Sequence, residues 1–159
     1  MKIELEEQII KLLDVSGKID HIDSHQHIHM IPQIFKVCIE LAEKYNIPRI
    51  RIVNEYCPNN LPKTLNPTKL LGERLLSKWV IKNDKVVQNS FIKTTENFFG
   101  LRYSGKYFLI KEYISNLLRE KKSDNIEINF HPAFNTDSLV NDYPWYQNGD
   151  IDYHLLLNS

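Results

Sequence analysis

The sequence predicts an α/β fold in which parallel strands alternate with helices. Two observations point to it. Segments with helical spacing and short β-rich segments follow one another along the chain, an order that requires crossover helices between parallel strands. The most reactive side chains, the run from His25 to His29 and the isolated His131, fall where strands are expected to end, and α/β folds place their chemistry at the carboxyl ends of strands. The 159 residues suit a single domain, 1–159, large enough to bury a core without disulfides.

In "IELEEQIIKLLDVSG", Ile3, Ile9, Ile10, Leu12 and Leu13 recur at helical spacing and Gly17 stops the helix. "KIDHIDSH" reads as a strand from Ile19 to His25. "IPQIFKVCIELAEKYNI" reads as a helix opened by Pro32, with Ile34, Val37, Cys38 and Leu41 on one face. "PRIRIVNE" alternates Arg49 and Arg51 with Ile50 and Ile52, as a strand does. Three prolines and three asparagines make "YCPNNLPKTLNPT" a loop, and its length favours a functional one. A helix is expected from Pro67 to Trp79, while "DKVVQNSFIK" admits either an extended pair or a loop. A further helix begins near Ser104 and ends in a basic cluster, which suits cations at a helix C-terminus. "NIEINFHP" is a strand ending at His131, and "DIDYHLLLN" a last helix.

Composition excludes several function classes. Twenty basic and twenty acidic residues cancel, so no overall field recruits nucleic acid or an anionic membrane. No apolar run approaches the roughly 20 residues of a membrane span, and the acidic amphipathic start lacks the apolar stretch of a signal peptide. Cys38 and Cys57 lack C-x-x-C spacing and read as reduced thiols, so a cytoplasmic location is expected. No Ser-His-Asp arrangement and no glycine-rich phosphate loop is present.

The informative stretch is "DSHQHIHM". On a strand, residues two apart share a face, so Asp23, His25 and His27 are expected to converge. Neutral imidazole is a common metal ligand. A catalytic metal keeps an open position where it activates water and polarises a carbonyl. A nearby carboxylate orients an imidazole or accepts a proton. A single strand histidine is usually structural. Three with an aspartate are unusual filler for a strand, which prefers β-branched and aromatic side chains. His21 and His154 read as structural histidines. Phe91, Phe98, Phe99, Tyr103, Tyr107 and Phe108 read first as core and second as a sugar-stacking wall, and Trp145 first as a loop anchor.

"HIDSHQHIHMIPQIF" resembles the signature of the YdjC-like carbohydrate deacetylases, a family that includes chitooligosaccharide and hopanoid-associated deacetylases. "EINFHPAF", Glu127 to Phe134, is similar to a second family segment, and "FFGLRYSGKYF", Phe98 to Phe108, to a third. The three lie in the family's order over about residues 19–135. The resemblance implies a partial (β/α) barrel-like fold and a divalent metal, magnesium or zinc. It implies an N-acetylated sugar or oligosaccharide as substrate. By the same resemblance His25 is a metal ligand and His131 an active-site residue, the imidazole acid or a substrate contact. Asp23, His27, His29, Arg51 and Glu55 match positions of the outer metal shell or the substrate side.

The departures are equally specific. Family members are longer and begin with a strand ending in "ADDFG", whose aspartates supply a metal ligand and the general base. A later "GxHxxL" supplies another histidine. Neither is present here, and Gly149 stands where the family usually has an arginine. The chain therefore reads as an N-terminally truncated YdjC-like domain, and a homo-oligomer or a missing N-terminal half is its expected partner. Two further readings stay open. One is a catalytically incomplete or split-gene product that binds sugar or a partner half. The other is an amidohydrolase or PHP-type metal hydrolase, which also uses an early "D-x-H-x-H" strand.

Overall fold

The computed structural model describes residues 1–55, 67–103, 109–120, 125–132 and 141. They belong to two compact units, Met1–Asn54 with Leu65–Thr95, and Glu55–Thr64 with Glu96–Ser159. Both units combine helices with parallel strand pairing, so the chain is α/β.

In the first unit, helix α1 runs from Lys2 to Ser16 and ends at Gly17, whose left-handed backbone (φ 71°) lets its N–H reach the Leu13 carbonyl at 2.8 Å. The expected strand from Ile19 to His25 is much shorter than its pattern suggests. Only Ile22 pairs, in parallel with Ile50, and His25 already opens a 3-10 helix, His25–Met30. The reason lies in the backbone: Gln26 and His27 are left-handed, with φ of 52° and 57°, so the chain coils where alternation would need it extended. Helix α2, Pro32–Lys44, starts at the expected proline, a residue whose fixed φ suits a first helical turn. It buries Phe35, Cys38, Ile39, Leu41 and Ala42. Asn46, left-handed at φ 54°, ends it, and the Ile47 N–H returns to the Ala42 carbonyl at 2.8 Å.

The "PRIRIVNE" segment pairs as expected, although by single bridges. Arg49 pairs with Lys93 and Ile50 with Ile22, both in parallel, so residues 49–50 are central to three short segments. Ile50, Ile52 and Val53 are buried. Helix α3, Pro67–Val87, is longer than the expected Pro67–Trp79, and part of "DKVVQNSFIK" belongs to it. Asn83, fully buried, donates to the Met30 carbonyl at 2.8 Å and so ties α3 to the end of the histidine turn.

In the second unit, strand β1, Asn97–Phe99, pairs in parallel with strand β2, Ile126–Ile128, in the register Asn97–Ile126, Phe98–Glu127 and Phe99–Ile128. Strand β1 falls in the aromatic stretch, where the sequence pattern offers no alternation. All three of its residues are buried. Helix α4, Ile110–Arg119, lies between the strands in sequence, as a crossover does. Phe99, Tyr103, Tyr113 and Leu117 form the core here. Phe99 meets Tyr103 stacked at 5.5 Å and Tyr113 edge-on at 4.8 Å between ring centroids, and the Tyr113 hydroxyl donates to the Phe98 carbonyl at 3.0 Å. The core reading of Phe98, Phe99 and Tyr103 therefore holds, while Phe91 is exposed. The expected loop after Glu55, the helix start near Ser104, the last helix, Cys57, Tyr107, Phe108, Trp145 and His154 lie outside the described residues. Among the described residues no helix is long and apolar enough to cross a membrane.

Candidate active-site residues

The first group grows from the segment that pairs Ile22 with Ile50. Directly after it, Asp23 meets Arg51, Oδ2 to Nη1 at 2.6 Å, with the arginine side chain mostly covered. Ser24 is extended (φ −154°), and its hydroxyl oxygen accepts the His29 backbone N–H at 2.9 Å, closing the turn. The same oxygen stands 2.8 Å from His29 Nδ1, and His29 Nε2 lies 3.0 Å from the Arg51 carbonyl. A carbonyl can only accept, so Nε2 carries the proton and donates. In the neutral ring Nδ1 accepts from the Ser24 hydroxyl, so both ring nitrogens are engaged. His29 is 2 % exposed. It is a lock that fastens the turn to the neighbouring segment.

The three motif histidines are thus separated by environment. His29 is buried and doubly bonded. His27 is half-buried and meets His29 edge-on at 6.5 Å between ring centroids. His25 is exposed and lines, with Asp23, Ser24 and His29, one end of an apolar cavity of about 480 Å³. The expectation that Asp23, His25 and His27 share one strand face does not hold, because the chain coils after Ser24. Asp23 points its carboxylate at a guanidinium. His21 is exposed and its Nδ1 lies 2.6 Å from Asp20 Oδ1. Cys38 is buried, and burial pushes its thiol up to about 11, so it stays a protonated thiol.

The second group stands at the carboxyl ends of β1 and β2. Gly100 follows β1 with φ 130°, and a Cβ there would lie 2.5 Å from the Asn129 carbonyl oxygen. Glycine is required by both the backbone angle and the close approach. The Asn129 N–H donates to the Phe99 carbonyl at 2.9 Å and prolongs the ladder past β2. Two residues on, His131 is half-buried, with Nε2 3.4 Å from Asn129 Nδ2. Glu55 accepts the Gly100 N–H at 2.7 Å and that of Arg102. Burial pushes its carboxyl up to about 7, against the opposing pull of those two N–H groups. Glu55, Gly100, Asn129 and His131 therefore form a continuous series of contacts. Sequence reasoning singled out Glu55 and His131 but missed Gly100 and Asn129. The signal for Asn129 was present, since in "NFH" it stands two residues before His131, on the same face of an extended chain.

A metal is the chemistry that alternating histidines suggest. Among the described residues no group of three or more histidine, cysteine, aspartate or glutamate side chains is arranged to hold one. His29 has both nitrogens engaged and Asp23 is paired with Arg51, so the described donors do not close a metal centre by themselves.

The profile of the YdjC-like protein family matches residues 1–156. The chain belongs to the YdjC-like family. Among curated relatives, a carbohydrate deacetylase of Thermoanaerobacter pseudethanolicus is 26% identical over 159 residues, covering 100% of this chain and 52% of that protein. A carbohydrate deacetylase of Clostridium beijerinckii is 27% identical over 135 residues, 84% of this chain and 43% of that protein. A chitooligosaccharide deacetylase of Proteus mirabilis is 39% identical over 49 residues, 30% of this chain and 19% of that protein. The chain thus spans about half the length of the first two YdjC-like relatives, 52% and 43%. No solved structure matches it with statistical significance.

Proposed function

We propose that this YdjC-like chain supplies part of the active site of a metal-dependent carbohydrate deacetylase, which hydrolyses N-acetyl groups of amino sugars to acetate and a free amine. The observation that carries the proposal is the placement of the two motif histidines. His25 and His131 each stand just past a parallel-paired segment, within motifs resembling those of the family, and curated relatives are carbohydrate deacetylases. His25 is the exposed motif histidine, and it serves as a ligand of a divalent ion, zinc or magnesium, whose other ligands come from outside the described residues. Bound, such an ion supplies an activated water and polarises the acetyl carbonyl. His131 donates a proton to the leaving amine, and Asn129 sets the plane of its ring. Arg51 positions by its contacts, holding Asp23 through its guanidinium and His29 through its carbonyl.

A second reading is a split or catalytically incomplete protein. It is favoured by the donor set, which stays below three metal-binding groups among the described residues. One assay separates the two. Acetate release from N-acetylglucosamine oligomers is measured with added zinc or magnesium. The chain is assayed alone and with the part of the Thermoanaerobacter relative that lies outside the matched 52%. Metal-dependent turnover is expected in the mixture, falling about 100-fold or more in His131→Ala, the usual scale for loss of a general acid. No turnover by a folded complex contradicts the deacetylase reading.

A further inference from the structure

Glu55 is a buried titratable group that the proposed reaction leaves unused. It meets the turn after β1 from 45 and 47 residues away, and each of its oxygens takes a different donor: Oε1 accepts the Gly100 N–H at 2.7 Å and Oε2 that of Arg102. A carboxylate bound at two points fixes the tilt of the turn as well as its position, and bonds to an ionised acceptor are the strong ones.

This side chain is costly to bury. Burial lifts its carboxyl from 4.5 to about 7, although the two N–H groups and the Arg102 charge pull the other way. A neutral acceptor would serve a turn without the desolvation of a charge. Carboxylates perturbed in this way cluster where a protein does chemistry. Glu55 is nevertheless placed to hold rather than to react, because both of its oxygens are given to the N–H groups of the turn.

The turn abuts Asn129. At Gly100 (φ 130°) a Cβ would stand 2.5 Å from the Asn129 carbonyl oxygen and 3.1 Å from the Asn129 Cβ, so the root of that side chain lies against the glycine. On the ladder side Asn129 is fixed by its N–H on the Phe99 carbonyl at 2.9 Å. The amide at the far end of the same side chain lies 3.4 Å from His131 Nε2. Close-packed backbone contacts transmit a displacement instead of absorbing it. Proton transfer in turn needs hydrogen-bond reach, and a misplacement of about 1 Å can cost about 100-fold.

We propose that Glu55 is a positioning residue for His131: by fastening Gly100 and Arg102 it sets where Asn129 stands, and through Asn129 the orientation of the imidazole toward the leaving amine. The inference rests on the deacetylase reading for the reaction it serves, while the link from Glu55 to His131 is measured apart from that reaction.

The test compares the parent chain with Glu55→Gln, which keeps the size of the side chain and puts an amide NH2 against one of the two N–H donors. Imidazole and amide nitrogens are followed by NMR in the full chain. The His131 ring and the Asn129 side-chain amide are expected to shift together with the Gly100 and Arg102 N–H groups, while the His29 ring of the first unit stays as it is. A His131 ring that does not move while the Gly100 and Arg102 signals do overturns the proposal. So do signals that move throughout the chain, His29 included, because the carboxylate then serves stability alone. The same variant is assayed in the mixture that tests acetate release, with two substrates. N-acetylglucosamine oligomers leave an amine that needs a proton, whereas p-nitrophenyl acetate leaves a stable phenolate that does not. In Glu55→Gln, kcat on the oligomers is expected to fall about tenfold with KM within about twofold, and the ester rate to stay within about twofold. An equal fall on both substrates overturns the proposal, since a loosened fold does not distinguish leaving groups, and so does no fall on either. No acetate release by the parent mixture counts against the deacetylase reading, and the ring measurement then decides this inference alone.

Discussion

The two histidine-bearing groups are built in opposite ways. In the first, the turn from His25 to Met30 gathers three histidines within five residues and gives each a different environment: exposed, half-buried and buried. In the second, one histidine follows strand β2 beside Asn129, and Asn129 is approached by Gly100, which Glu55 holds from a distant part of the chain. The first group is local and held by side-chain hydrogen bonds. The second is non-local and held by a ladder and a close backbone approach. A dense motif is therefore no guide to how many of its members do chemistry. One of the three motif histidines holds the turn together, while the isolated histidine stands among the contacts of a strand end.

The largest effect that sharpens this contrast is expected at Gly100. Gly100→Ala puts a Cβ against the Asn129 carbonyl at a backbone angle that alanine avoids, and neither partner is a flexible side-chain end. A loss of about 3 kcal/mol or more is expected in urea unfolding. A loss under about 1 kcal/mol means that the strand ends separate readily and that the second group is not rigid.

The next effect distinguishes the histidines of the first group. His29→Ala leaves the Ser24 hydroxyl and the Arg51 carbonyl without the buried ring. It should cost about 2–3 kcal/mol by the same measurement. His25→Ala, at an exposed position, should stay within about 0.5 kcal/mol of the parent. Equal costs erase the division of labour.

A further effect is pH-dependent and belongs to Glu55. Its folded pKa is raised from 4.5 to about 7, so between these values the folded state holds a proton that the unfolded state releases. Stability from this group is full below about pH 4.5, declines as pH rises, and levels off above about 7. Glu55→Gln should flatten that decline in urea midpoints taken from pH 4.5 to 8. A slope unchanged in Glu55→Gln assigns the effect elsewhere.

Much of this was legible in the sequence, and the reasons are local. Pro32 and Gly17 mark helix ends by their own backbone preferences, so α2 starts and α1 stops where expected. The α/β order and the positions of His25 and His131 past paired segments also follow from pattern. The coil at Gln26 and His27 did not, because period-two spacing looks the same whether the chain is extended or turned. Strand β1 was hidden because "NFF" is buried throughout and shows no alternation. Asn129 could have been found from its place two residues before His131, whereas Gly100 acquires its meaning from its approach to Asn129 across a strand pairing, which no local pattern contains.

The proposed function gives His25 to the metal, whereas the contacts of His29 fasten the turn. The most direct measurement is long-range nitrogen–proton NMR of the imidazole rings during a zinc titration of the full chain. His29 is expected to keep its Nε2 proton on the Arg51 carbonyl and not to respond, while the His25 nitrogens shift with added zinc. A His29 ring that takes zinc while His25 stays unchanged would contradict it.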